Sequence, residues 1–175
     1  MQRSVDKAGA WPELSYADWH ATAATLQLWT QIVGKVRLTL SPWLNHGWQV
    51  PLYVNSHGLG TSPIHVGQGI LAIDFDFVRH RLVVRTSNTP DGGFALEPMS
   101  VAAFYRRVMK ELEAAGVGVT INVMPNEVPN PIRFPDDDVH ASYDAVAVPT
   151  PMRSSSRPRQ KGTLLGQAPS PDPGR

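Results

Sequence analysis

The stretch LAIDFDFVRHRLVVRTS, residues 71–87, decides the fold. Leu71, Ile73, Phe75 and Phe77 alternate with Ala72, Asp74 and Asp76, the period of a strand with one face buried. Leu82 and Val84 place a second apolar row immediately after it, so the two runs read as an antiparallel hairpin. With Arg79-His80 as the turn, Phe77 faces Leu82, Phe75 faces Val84 and Asp74 faces Arg85. Asp76 then lies diagonally near Arg81 and Arg85. The two carboxylates of IDFDF therefore read as cross-strand ion-pair partners, not as an acid/base pair.

Upstream, residues 15–40 carry Trp19, Leu26, Val33 and Leu40 at near-heptad spacing, with Ala23, Trp29 and Val36 alongside. That stripe predicts a long amphipathic helix, with Ser15 and Asp18 at its start and Ser41-Pro42 as its stop. Gly34 interrupts the stripe. All five tryptophans fall at or before Trp48, so this part of the chain is expected to supply much of the core. Residues 48–55 alternate again, and Pro51 within them predicts an edge strand or a bulge. Downstream, Thr89-Pro90-Asp91-Gly92 is a turn, and Phe94 and Leu96 begin a further short strand. Ser100 caps a second helix bearing Val101, Phe104, Tyr105, Val108, Met109, Leu112 and Ala115, and Gly116 ends it. Val117, Val119, Ile121 and Val123 alternate as a strand. The proline-rich run PNEVPNPIRF that follows Met124 is irregular or extended. The order predicts an α+β fold: a mostly antiparallel sheet with the long N-terminal helix and the second helix packed on one face.

The chain has 175 residues, room for one domain and not for two full ones. Charged residues make up 18%, below the roughly 25% of an average domain. The absence of cysteine excludes disulfides, thiolate catalysis and cysteine-based metal centres. The longest apolar runs, such as residues 70–73, fall far short of the roughly 20 residues that span a bilayer. The first ten residues contain no signal-like apolar stretch, so a cytoplasmic location and no membrane partner are expected. The formal charge of +1 conceals an asymmetry: residues 1–145 carry a net of −3 and residues 146–175 a net of +4. The organisation read from this is a flexible N-terminus over 1–10, a folded domain over 11–145 and a disordered Ser/Pro/Arg-rich tail over 146–175. Five scattered cations without aromatics make nucleic acid an improbable partner for that tail.

Several groups invite a chemical reading. His20, His46, His57, His65, His80 and His140 share no helical i, i+3 or i+4 spacing and no HExxH frame, so no metal set emerges from them. Asp136-Asp137-Asp138 with His140 lacks the glycine and spaced oxygen ligands of a calcium loop and reads as a solvated acidic loop. Gly58-Leu59-Gly60-Thr61-Ser62 lacks the lysine and following helix of a phosphate loop and reads as a glycine turn. No nucleophile elbow is present. What remains is a polar and aromatic set around the end of the first helix: Lys35, Asn45, His46, Trp48, Tyr53 and His57. These are the candidate ligand-binding residues; no cofactor is implied.

The stretches WPELSYADWHATAATLQLWTQIVGKVRLTLSPWLNHGWQVPLYV, GLGTSPI, IDFDF, RLVVRTS, LEPMSVAAFY, MPNEVPNPIRF and DVHASYD give the chain its resemblance. Together they resemble an uncharacterised bacterial family known as a domain of unknown function, number five-nine-nine-six. The resemblance implies no activity, cofactor or catalytic residue. It does imply a further half of comparable size after HASYD, with an echo of the stretch around residues 34–48. This chain departs from that pattern after Ala145, as a truncated or shifted reading frame would. A partner or the missing half would then cover apolar surface left exposed. Three functional readings follow. The first is small-molecule binding or an unassigned enzymatic activity in a cleft near the end of the first helix. The second is a protein–protein or structural module. The third is a metal-dependent hydrolase using Asp136, Asp138 and His140.

Overall fold

The computed structural model describes residues 16–47 and 49–148. Helix α1 (Tyr16–Leu40) is followed by strands β1 (Tyr53–Val54), β2 (Gly58–Gly60), β3 (Ile64–Val66), β4 (Gly69–Asp76), β5 (Arg81–Thr86) and β6 (Gly92–Ala95), and then by helix α2 (Val101–Ala114). Every strand pairing is antiparallel, in the order β1-β2-β4-β5-β6 with β3 also beside β4. The fold is α+β, as the alternation and helical stripes predict. The expected N-cap at Ser15, the residues 1–10 and the tail beyond Val148 lie outside the described residues.

The inner face of the sheet carries Ile64, Leu71, Ile73, Phe75, Leu82 and Val84, all buried. Both helices close over it through an aromatic column. Phe104 of α2 stacks on Trp29 of α1 with centroids 4.6 Å apart and lies 6.0 Å from Phe75 of β4. Tyr143 covers the other side of Trp29 at 5.6 Å. Trp29 is the one tryptophan of the described set that is fully buried. Trp19 is half-buried and Trp43 is 71% exposed, while Trp11 and Trp48 lie outside the described residues. α1 supplies Leu28, Trp29, Ile32, Val33 and Val36 to the core, which it shares with the apolar rows of β4, β5 and α2.

The hairpin departs from the expected register by two residues. Phe75 pairs with Leu82, Ile73 with Val84, Ala72 with Arg85 and Asp76 with Arg81. The cause is Asp76, whose carboxylate accepts the backbone N–H groups of Val78 and Arg79 at 3.0 and 2.8 Å. This closes a four-residue loop over 77–80, in which His80 adopts a φ of 50°. A slip of two leaves every side chain on its original face, so Asp74 still forms an ion pair with Arg85. Asp76 pairs with Arg79 at 3.0 Å, not with Arg81 or Arg85.

Three other expectations change. Residues 58–60 are strand β2, not a turn. A Cβ on Gly60 would come within 2.1 Å of the Asp74 carboxylate, and one on Gly58 within 2.1 Å of the Phe75 carbonyl oxygen, so glycine is what lets the two backbones approach. β2 and β3 share one edge of β4. Between them Thr61, fully buried, bridges the gap with its N–H on the Ile73 carbonyl and its hydroxyl accepting the Ile73 N–H, both at 3.0 Å. The run 48–55 shortens to the two residues of β1 at the sheet edge. Pro51 lacks an N–H for a ladder, and Arg37 takes its carbonyl oxygen. Residues 117–123 form no strand among the described residues. Val117 and Ile121 are buried and Thr120 and Asn122 exposed, so the alternation reports one-sided burial of extended chain without a ladder.

Helix α2 matches its expected limits. Ser100 accepts the Ala103 N–H at 3.1 Å, and Gly116 turns the chain out with a φ of 75°. The packed body continues through Ala147 and Val148, both buried. Among the described residues, no helix is long and apolar enough to cross a membrane.

Candidate functional site

A cleft of about 450 Å³ opens beside the C-terminal half of α1. Thr30, Gln31, Gly34, Lys35 and Leu38 form its helical side, Val50, Leu52 and Leu59 an apolar wall, and Asn126 and Glu127 the far lip. The helix presents these residues together because positions three and four apart share a face. The far lip is held by a reciprocal pair: Gln31 Nε2 donates to the Asn126 carbonyl oxygen at 3.0 Å, and Asn126 N–H donates to Gln31 Oε1 at 2.8 Å. Gln31 thus treats Asn126 as a strand would treat its neighbour. The lip turns sharply, with left-handed φ values of 54° at Glu127 and 49° at Asn130, conformations that cost a side-chain-bearing residue about 1–2 kcal/mol.

Lys35 reaches across the cleft. Its Nζ donates to Asn126 Oδ1 at 3.0 Å and lies 6.0 Å from the centroid of the buried Phe134 ring. Burial disfavours the ammonium and lowers its pKa below the ordinary lysine value. The other candidates spread along the adjoining segment. Asn45 and His46 sit exposed in a single 3-10 turn, Asn45–Gly47, where His46 has a φ of 51°. Trp48 lies outside the described residues. Tyr53 is half-exposed on β1, and its ring is a platform for the Arg37 guanidinium 4.9 Å away. His57 is exposed in the β1–β2 turn, its Nδ1 3.0 Å from Ser56 Oγ. Of the six, Lys35 lines the cleft.

Arg37 is buried in the last turn of α1. Its Nε has no hydrogen-bond partner among the described residues. The residues that sequence reasoning missed are Gln31, Gly34, Asn126 and Glu127. The glycine inside a helical stripe was the available signal. The Asn126 contact, 91 positions away from Lys35, had none.

The acidic loop also differs from expectation. Asp136 and Asp138 are exposed, but Asp137 is 1% exposed and accepts the N–H groups of Val139 and His140 at 3.1 Å and the His140 imidazole at 2.8 Å. Asp136 pairs with Arg133 and Asp138 accepts the Ser100 hydroxyl. Asp136, Asp138 and His140 therefore have separate partners. Among the described residues no group of three or more His, Asp or Glu side chains could hold a metal ion.

No curated protein and no solved structure matches the chain. A family model does, over residues 11–158, under the description "Family of unknown function (DUF5996)". That match takes in the hairpin, both helices and every residue of the cleft, and the chain belongs to this family.

Proposed function

We infer that the cleft beside α1 binds a small, largely apolar molecule whose single hydrogen-bond-accepting head group meets Lys35. The observation that carries this reading is Gly34. Glycine inside a helix costs about 1 kcal/mol relative to alanine. Here the nearest atom that a Cβ would meet is the Val50 carbonyl oxygen at 3.8 Å, an ordinary contact. Packing does not require glycine at this position; what glycine does is leave the floor of the cleft open. Apolar walls with a few convergent polar groups are the general make-up of small-molecule sites. Asn45, His46, Tyr53 and His57 lie on either side of the Val50 and Leu52 wall in the chain and are read as its support.

The test is a thermal-shift fragment screen on the wild type, Gly34→Ala and Gly34→Leu. Gly34→Ala is expected to be more stable by about 0.5–1 kcal/mol, and Gly34→Leu to fold yet lose the fragment response. Fragments that stabilise Gly34→Leu as strongly as the wild type refute the reading.

A protein–protein surface is the second reading. Trp43, Leu44 and Val54 are 71%, 55% and 75% exposed, and large apolar side chains of this kind favour contact with a partner. The first reading ranks ahead because the apolar stripe of α1, with Leu28, Trp29, Ile32 and Val33, is already buried within the domain.

A further inference from the structure

Lys35 has surroundings unlike those of the paired cations. Arg79, Arg85, Arg107 and Arg133 each lie within 3.3 Å of a carboxylate oxygen. Lys35 has no carboxylate within ion-pair distance among the described residues. Its Nζ donates to a neutral carboxamide oxygen, 6.0 Å from the Phe134 ring centroid, in a cleft with Leu38, Val50, Leu52 and Leu59 as its apolar wall and Glu127 on the far lip. The aromatic face and the carboxamide oxygen favour the ammonium less than a contacting carboxylate would. Burial opposes the charge and lowers the Lys35 pKa. A lysine amine desolvated in an apolar pocket is the nucleophile that captures carbonyl carbon.

We propose that the ligands of this cleft are small apolar aldehydes or ketones and that Lys35 Nζ binds them covalently as an imine. This rests on the reading of the cleft as a binding site. The nitrogen lone pair forms the C–N bond while the carbonyl π pair moves to oxygen, giving a carbinolamine. Nitrogen then releases a proton, the hydroxyl takes one up and departs as water, and the C=N bond forms. One amine and one carbonyl give one imine and one water. Nothing is oxidised or reduced, and hydrolysis by the reverse path frees the ligand. Protons exchange with solvent.

The full chain provides its own controls, because it has four lysines, Lys7, Lys35, Lys110 and Lys161. The protein is incubated with benzaldehyde, reduced with borohydride and digested, and the benzyl adduct on each lysine is followed by mass spectrometry over time. Lys35 is expected to be labelled several-fold faster than the exposed Lys110. Urea-unfolded chain is expected to lose that difference, and Lys35→Arg to leave labelling of the other three lysines unchanged. Labelling of Lys35 no faster than Lys110 in the folded chain overturns the proposal. Benzyl alcohol, which has no carbonyl, separates the two levels of inference when the backbone amide resonances of Gly34 and Lys35 are followed. If benzyl alcohol shifts them while benzaldehyde leaves Lys35 unlabelled, covalent capture falls and the binding cleft stands. If benzyl alcohol leaves them unmoved and benzaldehyde leaves Lys35 unlabelled, both fall.

Discussion

Three consecutive aspartates with three different environments make a controlled experiment. Asp137→Ala removes a carboxylate that is 1% exposed and strands three donors, two backbone N–H groups at 3.1 Å and the His140 ring at 2.8 Å. A buried donor left without its acceptor costs about 1–3 kcal/mol. The His140 side chain is 34% exposed and can turn to water, so its share falls near the low end, and the expected total is about 3–5 kcal/mol. The loss also reaches α2, because Ala102 N–H donates to the Asp137 carbonyl oxygen and Val101 N–H to that of His140, both at 3.0 Å. Asp136→Ala removes only an exposed pair with Arg133 and is expected to cost about 0–0.5 kcal/mol. Asp138→Ala loses one exposed hydrogen bond from Ser100, about 0.5–1.5 kcal/mol. Asp137→Asn keeps one oxygen for the backbone groups and is expected to fall between. The assay is urea unfolding at neutral pH followed by tryptophan fluorescence and circular dichroism, with equal m-values as the check on two-state behaviour. Three alanine variants within about 0.5 kcal/mol of one another, the scatter of ordinary surface changes, would refute the assigned roles.

The remaining predictions concern titration and backbone space. Burial pushes the Tyr143 phenol up to about 12, while the unfolded chain releases that proton near pH 10. The folded state therefore binds more protons between those values, and stability is expected to fall as pH rises from about 10 to about 12. Ultraviolet titration should show a late tyrosine that Tyr143→Phe removes, and an unchanged alkaline slope in Tyr143→Phe counts against the assignment. Burial opposes ionisation of Asp76, but the Arg79 N–H, its guanidinium and the His57 charge outweigh it and hold the carboxyl below its ordinary value. The stability this contributes is present above the unfolded carboxyl pKa near 4 and is lost as pH falls through the lower folded value. Asp76→Asn should flatten the acid limb, and identical acid unfolding curves would speak against it. Gly93 has a φ of 130°, and a Cβ there would meet the Leu82 carbonyl oxygen at 2.1 Å; Gly93→Ala is expected to cost about 2–4 kcal/mol. Gly67→Ala, at a φ of 56° with open space around it, is expected to cost about 1 kcal/mol. Equal costs at the two sites would remove the steric argument.

Periodicity made most of the fold readable in advance. A stripe three and four apart marked both helices, and strict alternation marked β4 and β5, because each burial pattern has one geometric source. The strand β2 escaped notice because Gly58-Leu59-Gly60 has no alternation to read; it is a strand only because β4 lies beside it. The hairpin register escaped because Asp76 was counted as a strand residue when its carboxylate was closing the turn. Asp137 looked like its neighbours, and nothing local distinguishes a buried aspartate from two solvated ones. The cleft was half legible: Lys35 and the neighbourhood of the first helix end could be named, but Asn126 and Glu127 meet them only through the tertiary path of the proline-rich run.

The buried face at the start of α1 is not greasy. Thr22 and Thr25 are 2% and 1% exposed, and their hydroxyls accept the N–H groups of Asp144 and Ser142. Those partners lie 122 and 117 positions later in the chain. During synthesis the first helix therefore emerges with a polar seam that stays hydrated until nearly the whole domain has left the ribosome. Contacts of such long sequence separation delay folding, so the apolar side of the nascent helix, Trp29 included, has a long window in which its own strands are not yet there to cover it.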